Sequence, residues 1–287
     1  MRSMLFVPGD RRDRFGKAVA SGADAVIFDL EDAVLPVARP QARIEVAGGL
    51  RTVPRPIPLW VRINPVETDE ALLDLASIVG YRPDGVVLPK ARSGADLLQL
   101  DHWLEALEVQ HGQTRGSIKV LALITETASA VLNGASFATP PARVVGYSWG
   151  AEDLAADVGA SANRSLDGEF EFTFRMARAC CLLAAAAARI AAYDTPDIEF
   201  RDVAAVERRA QASRRDGFVG KLAIHPAQLA PIHAAFSPAP EEIAWARRVL
   251  ELMSTSGGQG AVALDGRMID RPHVRQAERI LAALDRS

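Results

Sequence analysis

Short apolar runs recur along the first 235 residues and alternate with segments that have helical spacing. Most of the runs are too short and too β-branched to form helices, so each predicts a buried strand. They lie at residues 3–7, 25–28, 58–64, 84–90, 118–124, 143–147, 190–194 and 218–226. Eight strands that alternate with helices favour a closed (β/α)8 TIM barrel over an open, doubly wound sheet.

Acidic residues follow two of these runs that are neighbours in the chain. The run at 118–124 leads to Glu126, and the run at 143–147 leads to Asp153. Parallel neighbours end at the same rim of a barrel, so the two carboxylates should converge there and form a site for a hard divalent cation, most plausibly Mg²⁺. In the alternative interpretation, Glu126 caps the following helix and Asp153 lies in a solvated turn.

The third run carries an arginine, Arg62, among apolar residues. Burial of a guanidinium is costly unless an anion meets it. Two partners remain open. One is an internal ion pair with Asp29, Glu31 or Asp32, which follow the second run, and the other is the carboxylate of a substrate.

Composition and motifs exclude several classes of function. The formal net charge of −3 argues against nucleic-acid binding, which usually requires a basic surface. The sequence contains no Gly-x-Gly-x-x-Gly turn after a strand and no phosphate-binding loop, which argues against nucleotide cofactors. The two cysteines, Cys180 and Cys181, are adjacent and cannot staple distant segments. With no apolar run long enough for a signal peptide or a membrane span, we expect a cytoplasmic protein.

Residues 237–287 extend beyond the predicted barrel domain at residues 1–236. They hold a predicted helix at 241–253, a glycine-rich segment at 254–260, a segment at 261–270 and a last helix that begins at Arg271. We expect a C-terminal helical lid and oligomerisation segment that covers its own barrel or that of a neighbour. The alternative is an appendage packed on the outside of the barrel.

Eight sequence blocks, in order, resemble the citrate lyase β-subunit-like family. They are RS and LFVPG at 2–9, DLEDAV at 29–34, VRIN at 61–64, LPK at 88–90, ETA at 126–128, GAEDL at 150–154, GK with IHPAQ at 220–228, and MIDRP at 268–272. The resemblance implies a TIM barrel that cleaves or forms a carbon–carbon bond between an acyl thioester and a 2-oxo acid.

The resemblance also implies roles for individual residues. Glu126 and Asp153 would bind Mg²⁺, Glu126 would also serve substrate binding and catalysis, and Arg62 would bind substrate and stabilise developing charge. Asp270 would be the acid or base, supplied by a neighbouring subunit. This implies a homo-oligomer, a homotrimer or a hexamer.

Further assignments by resemblance concern acids and a lysine close to the metal. Asp29 and Asp32, together with Glu31, would lie near the metal and bind substrate through waters or by orienting Arg62. Lys90 would be a structural partner for one of them. His225 is expected to form a hydrogen-bonded corner rather than a catalytic base.

The expected function is Mg²⁺-dependent cleavage or formation of a 3-hydroxyacyl-CoA such as malyl-CoA or citramalyl-CoA. The substrates would be an acyl-CoA and a 2-oxo acid. Basic side chains at the barrel mouth, among Arg2, Arg11, Arg12 and Arg14, could meet the coenzyme A phosphates, although Arg11 and Arg12 also fit a solvated helix face.

Three other functions stay open from the sequence. The chain could be a citrate lyase β subunit that acts on citryl-acyl carrier protein. It could be an acyl-CoA thioesterase of the same family. It could also be a barrel that binds acyl-CoA and regulates a partner protein.

Overall fold

A computed structural model describes residues 1–255 and 260–284. Eight parallel strands close into a barrel in which each strand pairs with its neighbours in the sequence and β1 pairs with β8. The strands are β1 (Ser3–Pro8), β2 (Ala25–Asp29), β3 (Leu59–Arg62), β4 (Gly85–Leu88), β5 (Lys119–Leu123), β6 (Val144–Ser148), β7 (Ala191–Asp194) and β8 (Gly220–Ala223). The predicted (β/α)8 barrel is confirmed.

Helices connect the strands and cover the outside of the barrel. They are α1 (Arg12–Val19), α2 (Arg39–Thr52), α3 (Asp69–Ile78), α4 (Gly94–Gln110), α5 (Ala128–Leu132), α6 (Ala151–Val158), α7 (Phe172–Ala188), α8 (Val203–Asp216) and α9 (Leu229–Phe236). In the described residues, no helix is long and apolar enough to cross a membrane.

The barrel and its helices share an apolar core that fixes the positions of the strand ends. Phe15 of α1 stacks on Phe28 of β2, with ring centroids 4.2 Å apart. Leu97, Leu100 and Leu104 form a buried stripe on α4. Complete burial of each such side chain stabilises the fold by about 1.5–3 kcal/mol.

The interior of the barrel is filled by side chains, as expected for this fold. Its apolar cluster comprises Met4, Ala25, Ile27, Trp60, Val87, Leu121, Leu123, Tyr193 and Leu222. The ring of Trp60 lies against Gly85, where a Cβ would come within 2.3 Å of it, so only glycine fits at that position of β4. The interior is therefore a packed core.

The strand register brings the carboxyl ends of neighbouring strands to one rim. Asp29 pairs with Pro8 on one side and with Arg62 on the other, and Leu123 pairs with Ser148. The residues that follow β2, β4, β5 and β6 therefore meet at a single end of the barrel. This is the end that carries the predicted acids.

The C-terminal extension packs around an apolar cluster of its own. It contains α10 (Pro240–Thr255), a hairpin of β9 (Ala261–Leu264) and β10 (Arg267–Asp270), and α11 (Arg271–Leu284). Ala246, Val249, Ile269 and Ala277 are buried in this cluster, and Arg214 of α8 forms an ion pair with Glu242 of α10. The predicted helices are present, the hairpin was not predicted, and the division at residue 236 stays a prediction.

Candidate active site

Five carboxylates gather at the rim formed by the carboxyl ends of the strands. Asp29 ends β2, and Glu31 and Asp32 follow it. Glu126 follows β5, and Asp153 lies in the first turn of α6 after β6. The fold thus brings the predicted acids of three strands together.

Arg62, at the end of β3, forms the internal ion pair that the sequence left open. Its Nε and Nη2 donate to the two carboxylate oxygens of Asp29 at 2.7 and 2.6 Å, and its Nη1 lies 3.0 Å from Glu31 Oε2. Burial lowers the pKa of Arg62, but Asp29 and Glu31 reverse this effect and raise it. The guanidinium stays charged, and it also stacks over the ring of Phe6.

Lys90, two residues after β4, joins acids from two sides of the rim. Its ammonium Nζ contacts Glu31 and lies 2.8 Å from Asp32 Oδ2 and 3.0 Å from Asp153 Oδ1. The sequence predicts Lys90 as a partner for one acid near the metal. The structure shows contacts with three.

Glu126 is buried, and its carboxylate lies in a constrained pocket. Its Oε2 accepts a hydrogen bond from the backbone N–H of Lys90 at 2.6 Å, while a Cβ on Gly150 would come within 2.4 Å of its Oε1. Burial, followed by the charge of Asp153, raises the pKa of Glu126 to about 8. A cation beside Glu126 and Asp153 would favour the ionised carboxylate and so offset both effects.

The alternative roles that the sequence left open for these two acids, a helix cap and a residue in a solvated turn, do not match the structure. The N-cap of α5 is Thr127, whose hydroxyl accepts the backbone N–H of Ala130, so Glu126 does not cap this helix. Asp153 is half-buried and paired with Lys90, so it does not lie in a solvated turn. Both carboxylates point to the shared rim.

The charge and chemistry of the rim fit a hard divalent cation. Five carboxylates face two cationic side chains, Arg62 and Lys90, which leaves a net charge of −3 when all are ionised. In residues 1–255 and 260–284, no three His, Cys, Asp or Glu side chains converge as a ready-made metal cage. Magnesium at Glu126 and Asp153 would therefore keep several water or substrate ligands, as it commonly does.

Comparison with known proteins identifies the family. The model of the HpcH/HpaI aldolase/citrate lyase family matches residues 2–226, and a model described as a C–C bond lyase of the TIM-barrel fold matches residues 182–284. The chain belongs to the HpcH/HpaI aldolase/citrate lyase family. The predicted family and the predicted class of enzyme, a carbon–carbon lyase, are confirmed.

Curated relatives of this HpcH/HpaI family member align over nearly its whole length. A citrate lyase subunit β-like protein of Mycobacterium tuberculosis is 36% identical, covering 96% of this chain and 93% of the relative. Citrate lyase subunit β of Haemophilus influenzae is 35% identical over 98% and 95% of the two chains. An L-malyl-CoA/β-methylmalyl-CoA lyase of Cereibacter sphaeroides is 32% identical over 98% and 93%.

A solved structure within the family has the same fold. The CitE protein of Mycobacterium tuberculosis, crystallised with magnesium, acetoacetate and coenzyme A, aligns with a TM-score of 0.80 and 35% identity. The alignment covers 99% of this chain and 98% of that chain. The similarity therefore includes the C-terminal extension as well as the barrel.

Asp270 of this family member ends β10 in the extension. Its carboxylate lies 2.6 Å from His273 Nδ1, and its backbone N–H also faces that nitrogen. Within the part of the chain that the structure describes, no hydrogen bond or ion pair joins Asp270 to Glu126 or Asp153. Of the glycine-rich segment at 254–260 that would attach the lid, residues 256–259 lie outside the described residues.

The prediction that Arg2 lies at the barrel mouth is wrong. Arg2 precedes β1, and its guanidinium pairs with Asp24, which precedes β2, so it belongs to the opposite end of the barrel. Arg12 packs on α2, where it donates to the carbonyl oxygen of Glu45. Neither side chain is placed to meet a ligand above the acids.

His225 forms a corner in the HpcH/HpaI fold, in agreement with its predicted role. Its Nδ1 accepts a hydrogen bond from the backbone N–H of Ala227, and its own backbone N–H donates to Gln228 Oε1. These two hydrogen bonds cap the turn after β8. Its ring stacks on Phe200.

A buried hydrogen-bond network next to the start of α6 was not predicted from the sequence. Trp149, completely buried between β6 and α6, donates its indole N–H to Asp194 Oδ1 at 2.6 Å. Asp194 also accepts hydrogen bonds from Nε and Nη2 of Arg178 and from the hydroxyl of Ser213. An aromatic residue before Gly150 and an acid at the end of β7 were the available signals, but their contact depends on the tertiary fold.

Proposed function

We propose that the chain is a Mg²⁺-dependent lyase that cleaves or forms a 3-hydroxyacyl-CoA such as malyl-CoA or citramalyl-CoA. The products of cleavage would be an acyl-CoA and a 2-oxo acid. The observation that carries the proposal is the convergence of Glu126 and Asp153 at the rim that also holds Arg62.

In this proposal, Glu126 and Asp153 hold the metal. Both supply hard anionic oxygens, and their mutual repulsion is the kind of interaction that a divalent cation relieves. When bound, magnesium supplies a Lewis acid that polarises the carbonyl group of a 2-oxo acid. The magnesium in the CitE structure supports this assignment.

Arg62 would orient the carboxylate of the 2-oxo acid and stabilise negative charge as it develops. A guanidinium has five N–H donors, and Asp29 accepts two of them. Asp29 and Glu31 fix the plane of the group, so its remaining donors keep one direction during the reaction. Asp29 thus serves substrate binding through Arg62.

Asp32 is the most exposed of the rim acids, with 55% of its side chain accessible. We place it at the entrance of the site, where it would contact substrate through water while Lys90 fixes its carboxylate. This position suits a role in admission of substrate rather than in chemistry at the reacting carbon.

Asp270 would move the proton at the carbon atom that gains or loses the bond. The extension carries it, and its carboxylate pairs with a residue of the same extension, His273. We propose that the extension covers the barrel of an adjacent protomer in a homotrimer or hexamer. The active site would then be completed only in the oligomer.

The second candidate is a citrate lyase β subunit that acts on citryl-acyl carrier protein. The identity of 35% to the Haemophilus influenzae subunit favours it as much as the 32% identity to malyl-CoA lyase favours free coenzyme A. The two candidates differ in what carries the thioester, and both use the same rim acids.

A substrate panel tests both candidates. The protein is incubated with Mg²⁺ and with malyl-CoA, citramalyl-CoA, citryl-CoA or citryl-acyl carrier protein, and the products are identified by mass spectrometry. Formation of acetyl-CoA with glyoxylate or pyruvate supports the CoA lyase, and turnover confined to the carrier-bound substrate supports the citrate lyase subunit. Free malate with coenzyme A would instead indicate a thioesterase, and no turnover of any member would contradict both candidates.

A further inference from the structure

Lys90 has an unusual backbone conformation for a residue with a side chain. It follows Pro89 and adopts a φ of 51°, in the left-handed region that residues other than glycine rarely occupy. Such a conformation is strained and persists when its surroundings stabilise it. At Lys90 those surroundings are the rim carboxylates.

The left-handed turn allows one residue to contact four of the five rim acids. The backbone N–H of Lys90 points to Glu126 Oε2, and the side chain crosses the rim to Glu31, Asp32 and Asp153. Arg62, in contrast, forms ion pairs with Asp29 and Glu31. Lys90 is thus the cation that links the acids after β2 with the acid after β6.

The number of donors on the ammonium matches this set of acids. An ammonium group has three N–H donors, and three carboxylates surround Nζ. Each contact fixes one carboxylate that would otherwise turn away from its neighbours, because like charges at this distance repel. No donor is left over for direct contact with substrate.

We propose that Lys90 is a positioning residue that fixes the orientation of both magnesium ligands, Glu126 through its backbone N–H and Asp153 through its ammonium group. This inference rests on the proposed function, since it takes Glu126 and Asp153 as the ligands. It makes Lys90 an outer partner of the metal rather than a general acid or base.

Removal of the ammonium would have two opposite effects on magnesium affinity. The rim would gain one unit of negative charge, which by Coulomb attraction alone tightens the binding of a cation. Asp153 would lose the contact that orients it, and loss of an outer partner typically weakens metal binding 10- to 100-fold. The sign of the change therefore separates a positioning role from a purely electrostatic one.

The experiment is a calorimetric Mg²⁺ titration of the full chain and of Lys90→Met. Methionine has a similar length and the same backbone strain but no charge. Lys119→Met is the matched control, because Lys119 is exposed at the opposite end of the barrel, where its ammonium donates to the carbonyl oxygen of Gly116. Circular dichroism and thermal unfolding report on folding.

We expect Lys90→Met to bind Mg²⁺ at least roughly tenfold more weakly than the wild type. Lys119→Met should have the wild-type Mg²⁺ affinity. The affinity of Lys90→Arg should lie between those of the wild type and Lys90→Met. Equal or tighter binding by Lys90→Met overturns it. If Lys90→Met does not fold, Lys90→Gly, which relieves the left-handed strain, must show the same loss. If the wild-type chain binds no Mg²⁺, the metal assignment of the proposed function fails, and this inference fails with it.

Discussion

The indole N–H of Trp149 donates to the carboxylate of Asp194 across the gap between β6 and β7, and both side chains are buried. Trp149 directly precedes Gly150, where a Cβ would collide with the Glu126 side chain, and Gly150 is followed by the helix that carries Asp153. The hydrogen bond therefore fixes the segment that lies between the two proposed metal ligands.

Trp149→Phe should lower the free energy of unfolding because it leaves Asp194 without one of its donors. The hydrogen bond is to a charged group, so its loss should cost about 1.5–3 kcal/mol beyond the effect of the smaller ring. Trp60→Phe is the control, because the indole N–H of Trp60 is buried without a hydrogen-bond partner in the described structure. Equal losses in urea denaturation would show that the Asp194 bond adds nothing.

Glu126→Gln and Asp153→Asn should each abolish measurable Mg²⁺ binding and lyase activity and leave the fold intact. Each variant removes an anionic ligand from a coordination shell that otherwise consists of water and substrate. Calorimetry measures Mg²⁺ binding, and circular dichroism reports whether each variant is folded. Undiminished affinity in both variants would place the metal elsewhere, and loss of folded signal would make the acids structural.

Arg62→Lys should keep the charge and lose roughly tenfold or more of kcat/KM. A lysine cannot form the two parallel hydrogen bonds that Asp29 accepts from the guanidinium, so the group that faces the substrate would lose its fixed direction. Such a loss corresponds to about one charge-assisted contact. Parent-rate turnover by the lysine variant would restrict Arg62 to the role of an internal counter-ion.

Asp270→Ala and Glu126→Gln, each inactive alone, should recover partial activity when mixed. If the extension acts on the adjacent protomer, some interfaces in the mixed oligomer pair an intact Asp270 with an intact metal site. Native mass spectrometry must confirm that the subunits exchange. A fully exchanged mixture that stays inactive would mean that the extension acts on its own barrel or that Asp270 has no catalytic role.

His233 should make the folded state less stable as the pH falls below about 6.5. Burial, followed by the charge of Arg2 and the nearby N-terminus, lowers the pKa of His233, and these effects outweigh Asp24 at 3.4 Å. The folded state therefore binds fewer protons than the unfolded state. The stability that neutral His233 contributes to the folded state is fully present above pH 6.5 and is lost as the pH falls toward the lower pKa of the folded state.

His233→Gln measures that contribution because glutamine can keep a hydrogen bond to Ser3 without titrating. Between pH 7 and pH 5, the variant should lose less unfolding free energy in urea denaturation than the wild type loses. Identical pH slopes for the two proteins would contradict the assignment, because every other side chain is the same in both.

The barrel and its rim of acids could be predicted because both follow from local patterns. Apolar runs mark the strands, and parallel pairing places the residue after each strand at the same end. Asp29, Glu126 and Asp153 are therefore assigned to this end of the barrel by the sequence pattern alone. Their spacing and the partner of Arg62 need the register and the side-chain directions, which the sequence pattern does not contain.

The family resemblance predicts one acidic partner for Lys90, but its contacts with three carboxylates could not be predicted. They depend on a left-handed backbone at a residue that gives no sign of it, and on a side chain that crosses from β4 to acids after β2 and β6. The hairpin of the extension, in contrast, has a local signal. Asp265-Gly266 between two short apolar segments is a typical two-residue turn, and both residues have positive φ.

The packed barrel interior has a consequence for the order in which the products of cleavage leave the site. In residues 1–255 and 260–284, Trp60 and its neighbours fill the barrel interior below the acids, so the described structure leaves the site open at the rim and closed from below. In the proposed cleavage, two products of very different size must leave through that opening. The product that is bound deeper in the barrel cannot leave until the product above it has left. An excess of the outer product should therefore trap the inner product in the site.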